Sequence, residues 1–421
     1  MSETACSSAR RLGSGIVHIT HRIEWGKNGY PSVPQEHIEG VARDARYWGL
    51  FQEMMKHSPE HPDAMLLTGH HADDQVETML LRLSAGSSAL GLAGTRRLRR
   101  WGMGSDSFHR ESGVGWYGTQ GLDVWIGRPL LSVPKSRILD TCKANGLDYT
   151  TDPTNFKSDY ALRNAIRDAL KVGVTDPFSP DCVSHYTPNH ASSLALVNTL
   201  GQNLDPPISL ATPVETLRSI VTSLEQNLEE AEERIVTYLS QHTNLDSQVG
   251  TVAIPLPALL SIKDDEEKKT LLYTVTRFVS PAPWGDLRAE LKRKKEKVSR
   301  LLETIWGDKA RDGGGPISIT PGSGVLWKLR RGVWTVQRMA PPRQTADAYT
   351  VDVTEKAREG GTVLWDNRFS IQFLRPVLTS GKVLVRPSGP YFVPEVVIQD
   401  DAGCAILQPD TVRTTFCRPL W

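Results

Sequence analysis

The chain has little that would tie it to a membrane, an oxidising compartment or a generic polyanion. None of its 421 residues fall in an apolar run long enough to span a bilayer. The five cysteines, Cys6, Cys142, Cys182, Cys404 and Cys417, are odd in number and scattered. They form no CxxC pair and no zinc-like spacing, which points to a reducing compartment. The formal net charge is only +1, from 49 basic and 48 acidic residues, so any nucleic-acid contact must come from local patches. No internal repeat is evident. The first residues, MSETACSSARR, lack a secretory apolar core, though their Ser and Arg content is compatible with an organellar presequence.

What is present suits a soluble protein of two or three domains, with 39% apolar and 23% charged residues. The most informative stretch is LLTGHHADDQVETMLLRLSAGSSALGLAGTRRLRR, Leu66 to Arg100. The run Ala64 to Leu67 suits a buried strand. It drops into His70-His71-Ala72-Asp73-Asp74 and recovers as a helix through Val76, Leu80 and Leu83. Asp74 is expected as its N-cap, with Glu77 three residues on reaching back to the cap amide. Ligands of α/β domains gather at the carboxyl ends of strands, and two histidines and two aspartates stand at this one. Such carboxylates and imidazoles can orient a nucleophile or bind magnesium, or they simply cap and solvate a helix end. No zinc site is expected.

Before this unit, Gly15 to Trp25 alternates apolar and polar residues and reads as a strand. Glu36 to Lys56 reads as a helix with Arg43 and Arg46 opposite its apolar stripe. Strand, helix, strand, helix predicts a parallel sheet. Trp101 to Gly121 is Gly- and Ser-rich and reads as a loop. Leu122 to Leu131 reads as a third strand ending at Arg128, and Ser136 to Asn145 as a short helix closed by Gly146. The turn at Asp152 to Asn155 leads into a helix from Tyr160, on which Arg163 and Arg167 share a face. That pair could clamp phosphate or form an ordinary ion-paired surface. Residues 176–213 read as a linker or insertion, and residues 214–310 as a helical region: Val214 to Gln241, Lys263 to Val279 and a basic helix from Trp284 to Trp306. Residues 311–421 read as a small β-rich module with strands at Val325 to Leu329, Gly332 to Arg338, Thr362 to Phe373 and Lys382 to Val385.

Four motifs in order, VARDARY (Val41 to Tyr47), HHADDQVET (His70 to Thr78), GRPLL (Gly127 to Leu131) and DPTNFKSDYALRNAIR (Asp152 to Arg167), resemble the tRNA(Ile)-lysidine synthetases of the PP-loop, or N-type ATP pyrophosphatase, superfamily. The resemblance covers roughly residues 15 to 170. Beyond it, GVLWKLRRGVWTVQR and VLWDNRFSIQF look like the accessory tRNA-binding part of that family. It implies a Rossmann-like PP-loop domain over residues 1–175, with ATP and Mg2+ as cofactors. It also implies adenylation of C2 of the wobble cytidine in an isoleucine tRNA with a CAU anticodon, and displacement of AMP by free lysine. Asp74 and Glu77 match the family's acidic pair at the active centre, and His71 would neighbour the adenylated base or the lysine. Arg43, Arg128, Arg163, Asn164 and Arg167 would hold ATP phosphates or the tRNA. The family's SGGxDS loop and VDHxxR segment are not found; Leu12-Gly13-Ser14-Gly15 lacks the Asp. The PP-loop domain is therefore expected to be N-terminally incomplete. Two readings follow: a lysidine synthetase, or a degenerate tRNA-binding homologue without ATP use. A thiolation enzyme would call for cysteine pairs, which the isolated Cys142 and Cys182 do not supply. A mitochondrial or cytoplasmic location fits either reading.

Overall fold

The computed structural model describes residues 2–13, 15–28, 30–33, 38–57, 65–87, 89–104, 117–151, 157, 159, 161–179, 182, 185–246, 248–286, 289–290, 295–311, 315–340, 348–400 and 403–419. The chain divides into two compact units. The first comprises residues 1–22, 65–99 and 125–230, and the second residues 23–64, 100–124 and 231–421. The chain is mixed α/β: an N-terminal portion with a parallel strand pair, a helical region, then β-rich sheets.

The elements that build the first unit are α1 (Ser2–Leu12), β1 (Met65–Leu67), α2 (Ala72–Ser84), β2 (Leu98–Arg100, at the boundary), β3 (Trp125–Gly127), α3 (Lys135–Ala144), α4 (Leu162–Val172), α5 (Pro188–Gly201) and the first part of α6 (Val214–His242). The sheet order is β1-β3-β2. β1 and β3 run parallel with Leu66 opposite Ile126, as the alternation of strands and helices predicts. The core is helical. Val76, Met79, Leu80 and Leu83 of α2 meet Ala165, Ile166 and Ala169 of α4, Leu194 and Val197 of α5, and Leu217 and Val221 of α6. Met79 and Leu80 are fully buried, each contributing about 1.5–3 kcal/mol of hydrophobic stabilisation. α4 stops where Gly173 adopts φ +71°, a left-handed cap that glycine reaches without steric cost.

The second unit holds the helix Ile38–His57 and an antiparallel sheet in the order β4-β5-β8-β7-β6. Those strands are β4 (Asn244–Asp246), β5 (Thr251–Pro255), β6 (Ile317–Gly322), β7 (Val325–Arg330) and β8 (Val333–Arg338). α7 (Asp265–Val279) and α8 (Lys295–Trp306) contribute Val275, Phe278, Leu301 and Ile305 to the core shared with Trp327 and Trp334. Asp264 caps α7, its Oδ1 accepting from the Glu267 amide at 2.8 Å. A four-stranded sheet, β14-β13-β12-β9, and a three-stranded sheet, β10-β11-β15, complete it. They are formed by β9 (Val351–Asp352), β10 (Thr362–Trp365), β11 (Phe369–Phe373), β12 (Lys382–Ser388), β13 (Val393–Asp400), β14 (Gly403–Ile406) and β15 (Val412–Phe416). The turn between β10 and β11 places Asp366 and Asn367 at φ +52°, which Asp and Asn tolerate better than most residues. It aims the Asp366 carboxylate at two guanidiniums, Arg338 at 3.1 Å and Arg368 at 2.8 Å. All three side chains are at most 3% exposed.

Several sequence expectations change here. Gly15 to Trp25 is not a strand: Ile16, Val17 and Ile19 are exposed, and the alternation reflects no sheet face. β1 is not buried, since Met65 and Leu67 are 45% and 63% exposed. Leu122 belongs to a short helix, Gln120–Asp123, so the third strand shrinks to β3. Thr362 to Phe373 is a hairpin rather than one strand, split by the positive-φ turn. Pro188 to Gly201, within the expected linker or insertion, is α5, whose apolar Leu194 and Val197 face the core. Trp284 does not begin a helix; it packs in a cluster with Met103 and Leu122. Residues 287–288 and 291–294 of the expected basic helix lie outside the described residues, as do residues 152–156 of the turn before α4.

Candidate active site

The loop between β1 and α2 and the first turns of α2 carry the acidic motif. Here the cap differs from expectation. His71, in extended backbone, is the N-cap, and Asp74 is at the third helical position, its Oδ2 accepting from the His71 amide at 3.0 Å. The reason lies at the first helical residue. The Ala72 amide is already satisfied by the Val133 carbonyl at 3.0 Å, so the helix starts a turn earlier. Asp73 and Asp74 then sit where the helix dipole favours negative charge.

Glu77 does not reach back to the cap. It is buried, and Arg167 of α4 grips it with two hydrogen bonds, Nε to Oε1 at 2.7 Å and Nη2 to Oε2 at 3.0 Å. Arg163, one turn earlier on the same face, brings Nε to 3.8 Å from Glu77 Oε2 and Nη2 to 3.5 Å from Thr78 Oγ1. Burial opposes the charge on Arg167, but the hydrogen bond and charge of Glu77, aided by Asp74 and Asp73, outweigh it and hold its pKa above the ordinary value. The i, i+4 spacing that put both arginines on one face in the sequence thus delivers them to one carboxylate.

Asp73 joins three elements. Its Oδ2 accepts the Lys135 amide at 2.9 Å, supplying the first turn of α3 with an acceptor that the preceding Pro134 lacks. Its Oδ1 accepts from Arg218 of α6, Nε at 2.8 Å and also Nη2. His71 Nδ1 lies 3.4 Å from Asp74 Oδ2 and 3.8 Å from Asp73 Oδ2, buried and without a hydrogen-bond partner. Asp73, Asp74 and Glu77 therefore face Arg163, Arg167 and Arg218, three negative charges against three positive ones.

Of the sequence-predicted residues, His71, Asp74, Glu77, Arg163 and Arg167 converge. Arg128 is buried and donates to the Arg96 carbonyl at 2.8 Å. Asn164 donates to the Lys157 carbonyl at 3.0 Å. Arg43 stands on the helix Ile38–His57, in the second unit. Sequence reasoning passed over Asp73, which the Asp-Asp doublet made visible, and Arg218, which lies 145 residues away with no local signal.

Arg163 is the member suited to an anion. Its Nε is buried without a hydrogen-bond partner among the described residues, and its side-chain hydrogen bond to Thr78 is long. A guanidinium with donors to spare fits a phosphate oxygen. Magnesium is a different matter. Among the described residues no three acid, histidine or cysteine side chains converge as a metal cage. A magnesium ion here would take most of its ligands from phosphates and water, with one or two carboxylates such as Asp74.

Residues 3–172 match the model of a PP-loop domain. The tRNA(Ile)-lysidine synthase of Bacillus subtilis (strain 168) is 39% identical over 129 residues, 31% of this chain and 22% of that protein. That of Methylobacterium nodulans is 34% identical over 178 residues, 41% of this chain and 43% of that protein. A probable tRNA(Ile)-lysidine synthase of Schizosaccharomyces pombe is 32% identical over 154 residues, 36% of this chain and 30% of that protein. The matched region thus spans less than half the length of each of these relatives. The N-terminal portion of this chain is a PP-loop domain, similar over that region to the tRNA(Ile)-lysidine synthases.

Proposed function

We propose that this chain acts as a tRNA(Ile)-lysidine synthase, an ATP-dependent ligase that joins free lysine to C2 of the wobble cytidine of isoleucine tRNA. ATP supplies the adenylyl group that activates the base, and magnesium accompanies its phosphates. Arg163 donates its uncommitted N–H groups to phosphate oxygens, offsetting charge that builds as the pyrophosphate departs. Arg167 stays with Glu77 and fixes the shared face of α4. In this reading Asp74, at the helix N-terminus with His71 at 3.4 Å, accepts a proton from the attacking amine. Asp73 holds the loop by tying α2 to α3 and α6.

The observation that supports this reading is the meeting of the β1–α2 acidic motif with the two α4 arginines, where the Arg163 Nε has the Glu77 carboxylate at 3.8 Å but no hydrogen-bond partner among the described residues. A second reading, a tRNA-binding homologue without ATP use, is favoured by one fact: Glu77 and Asp73 are already paired with arginines. The test is transfer of labelled lysine to an isoleucine tRNA transcript with a CAU anticodon, with ATP and magnesium present. Incorporation that falls at least about a hundredfold in Arg163→Gln supports the ligase. No incorporation, with tRNA still bound, supports the second reading.

A further inference from the structure

Two strips of main chain hold the start of α2. On one side the Ala72 amide donates to the Val133 carbonyl at 3.0 Å, and Asp73 accepts the Lys135 amide at 2.9 Å. These partners follow the GRPLL turn, in which the Val133 amide donates to the Leu130 carbonyl at 2.9 Å. On the other side Gln75 exchanges two 2.7 Å hydrogen bonds with Thr95, its amide group donating to the carbonyl and its oxygen accepting the N–H. Gly94, at φ +75°, permits this approach: a Cβ there would lie 2.8 Å from the Gln75 side-chain oxygen. Arg82, two turns along α2, donates to the carbonyls of Gly91 and Gly94 and holds the same strip.

Arg128 joins the two strips. Its amide donates to the Arg97 carbonyl at 2.8 Å, and its Nη1 donates to the Arg96 carbonyl at 2.8 Å. The links close a circuit. It runs from α2 through Gln75 to Thr95, along the chain to Arg96 and Arg97, and across to Arg128. From there it follows the turn to Val133 and returns to Ala72. Gln75 is 2% exposed and Arg128 3%. Each buried side chain satisfies main-chain groups that would otherwise be stranded away from water. The arginine of the GRPLL motif therefore commits its guanidinium to main chain inside the fold and does not present it to a phosphate.

We infer that Gln75 and Arg128 are positioning residues for the β1–α2 acidic motif. Through this circuit they set the line on which α2 leaves β1, and with it the places of Asp74 and Glu77. The effect on rate rests on the proposed ligase function; the effect on structure does not. A displacement of about 1 Å at a reacting group costs on the order of a hundredfold in rate. Loss of a positioning residue lowers kcat, whereas loss of a phosphate ligand that binds ground state and transition state alike raises KM.

The experiment compares Gln75→Met and Arg128→Met in the full chain by two readouts. The first is amide hydrogen exchange, read on the far side of the circuit from each change. Gln75→Met should speed exchange of the Ala72 amide, and Arg128→Met that of the Thr95 amide, each at least about tenfold. The α4 amides of Ala165 and Ile166 should keep their wild-type rates. The double variant should add less than about twofold, because a circuit broken once is already open. The second readout is lysine transfer to the isoleucine tRNA transcript. There kcat should fall at least about tenfold in each variant with KM for ATP within about twofold, and Arg128→Lys should recover part of the loss. Should Arg128→Met fail to fold, Gln75→Met carries both readouts. Far-side exchange that is unchanged, or that rises only as much as exchange in α4, overturns the inference. A raised KM for ATP at unchanged kcat in Arg128→Met does the same, making Arg128 a phosphate ligand. If the wild-type chain transfers no lysine, the ligase reading fails and the exchange readout alone decides the inference.

Discussion

Glu77→Gln isolates the charge that joins α2 to α4. The Glu77 side chain is 4% exposed and receives Arg167 at 2.7 and 3.0 Å. Glutamine keeps the shape but turns one acceptor into a donor facing a guanidinium. Breaking a fully buried pair from one side costs about 3–5 kcal/mol. Arg167 is 27% exposed and also feels Asp73 and Asp74. The expected cost is therefore about 2–3 kcal/mol. It is read most directly as native-state hydrogen exchange of the buried α4 amides, Ala165 to Ala169. Where these exchange by local opening, the rate should rise about 30- to 150-fold. Arg167→Gln alone should do similar damage. The double variant should be more stable than the sum of the singles predicts, by about 1–2 kcal/mol, because neither charge is left stranded. Additivity within about 0.5 kcal/mol would refute the reasoning: the helices would then be held by Ile166 and Met79 alone.

Further outcomes are expected elsewhere. Asp366→Asn strands Arg338 and Arg368, and should destabilise the C-terminal sheets by about 3–5 kcal/mol, seen as rapid limited proteolysis of that region. Gly201→Ala places a Cβ 2.0 Å from the Ile208 carbonyl oxygen, a backbone atom with no room to yield; a fall in melting temperature of several degrees checks this. Burial raises the Cys417 thiol from 9.0 to about 11, whereas Cys404 is exposed. At pH 8 iodoacetamide should label Cys404 and spare Cys417, as mapped by mass spectrometry. The stability that Cys417 confers is complete below pH 9 and falls as pH rises towards 11, because the unfolded chain releases the thiol proton first. Charge reversal of Lys297 and Arg300 on α8 should weaken tRNA binding and flatten its salt dependence, measured by filter binding at several salt concentrations.

The legible parts of the fold were those with a strong local period. The apolar stripe Val76, Leu80, Leu83 gave α2, and the four-residue spacing of Arg163 and Arg167 gave their common face. The parallel pairing of β1 with β3 followed from the alternation of element types. What local pattern could not decide was set by distant partners. The cap moved from Asp74 to His71 because the Val133 carbonyl takes up the Ala72 amide. Glu77, placed by spacing at a capping position, was claimed by a guanidinium 90 residues away. Arg218 was invisible for the same reason, and α5 was hidden because its Ser- and Asn-rich exposed side masks the widely spaced buried residues Ala191, Leu194 and Val197. Alternation at Gly15 to Trp25 misled because a period of two records what a strand could bury, not whether a neighbour exists to cover it.

One carboxylate shared by two buried guanidiniums has an evolutionary consequence. Asp366, Arg338 and Arg368 can be exchanged for apolar residues as a set, since a well-packed apolar replacement of a buried ionic cluster is often neutral or stabilising. No single step along that route is open. Losing the aspartate strands two cations, and losing one arginine changes the environment of both remaining partners. The triad is thus an epistatic lock. Descendants of this chain should either keep all three residues or show all three replaced together, and the hairpin turn at Asp366 and Asn367 would be free to change only in the latter lineages.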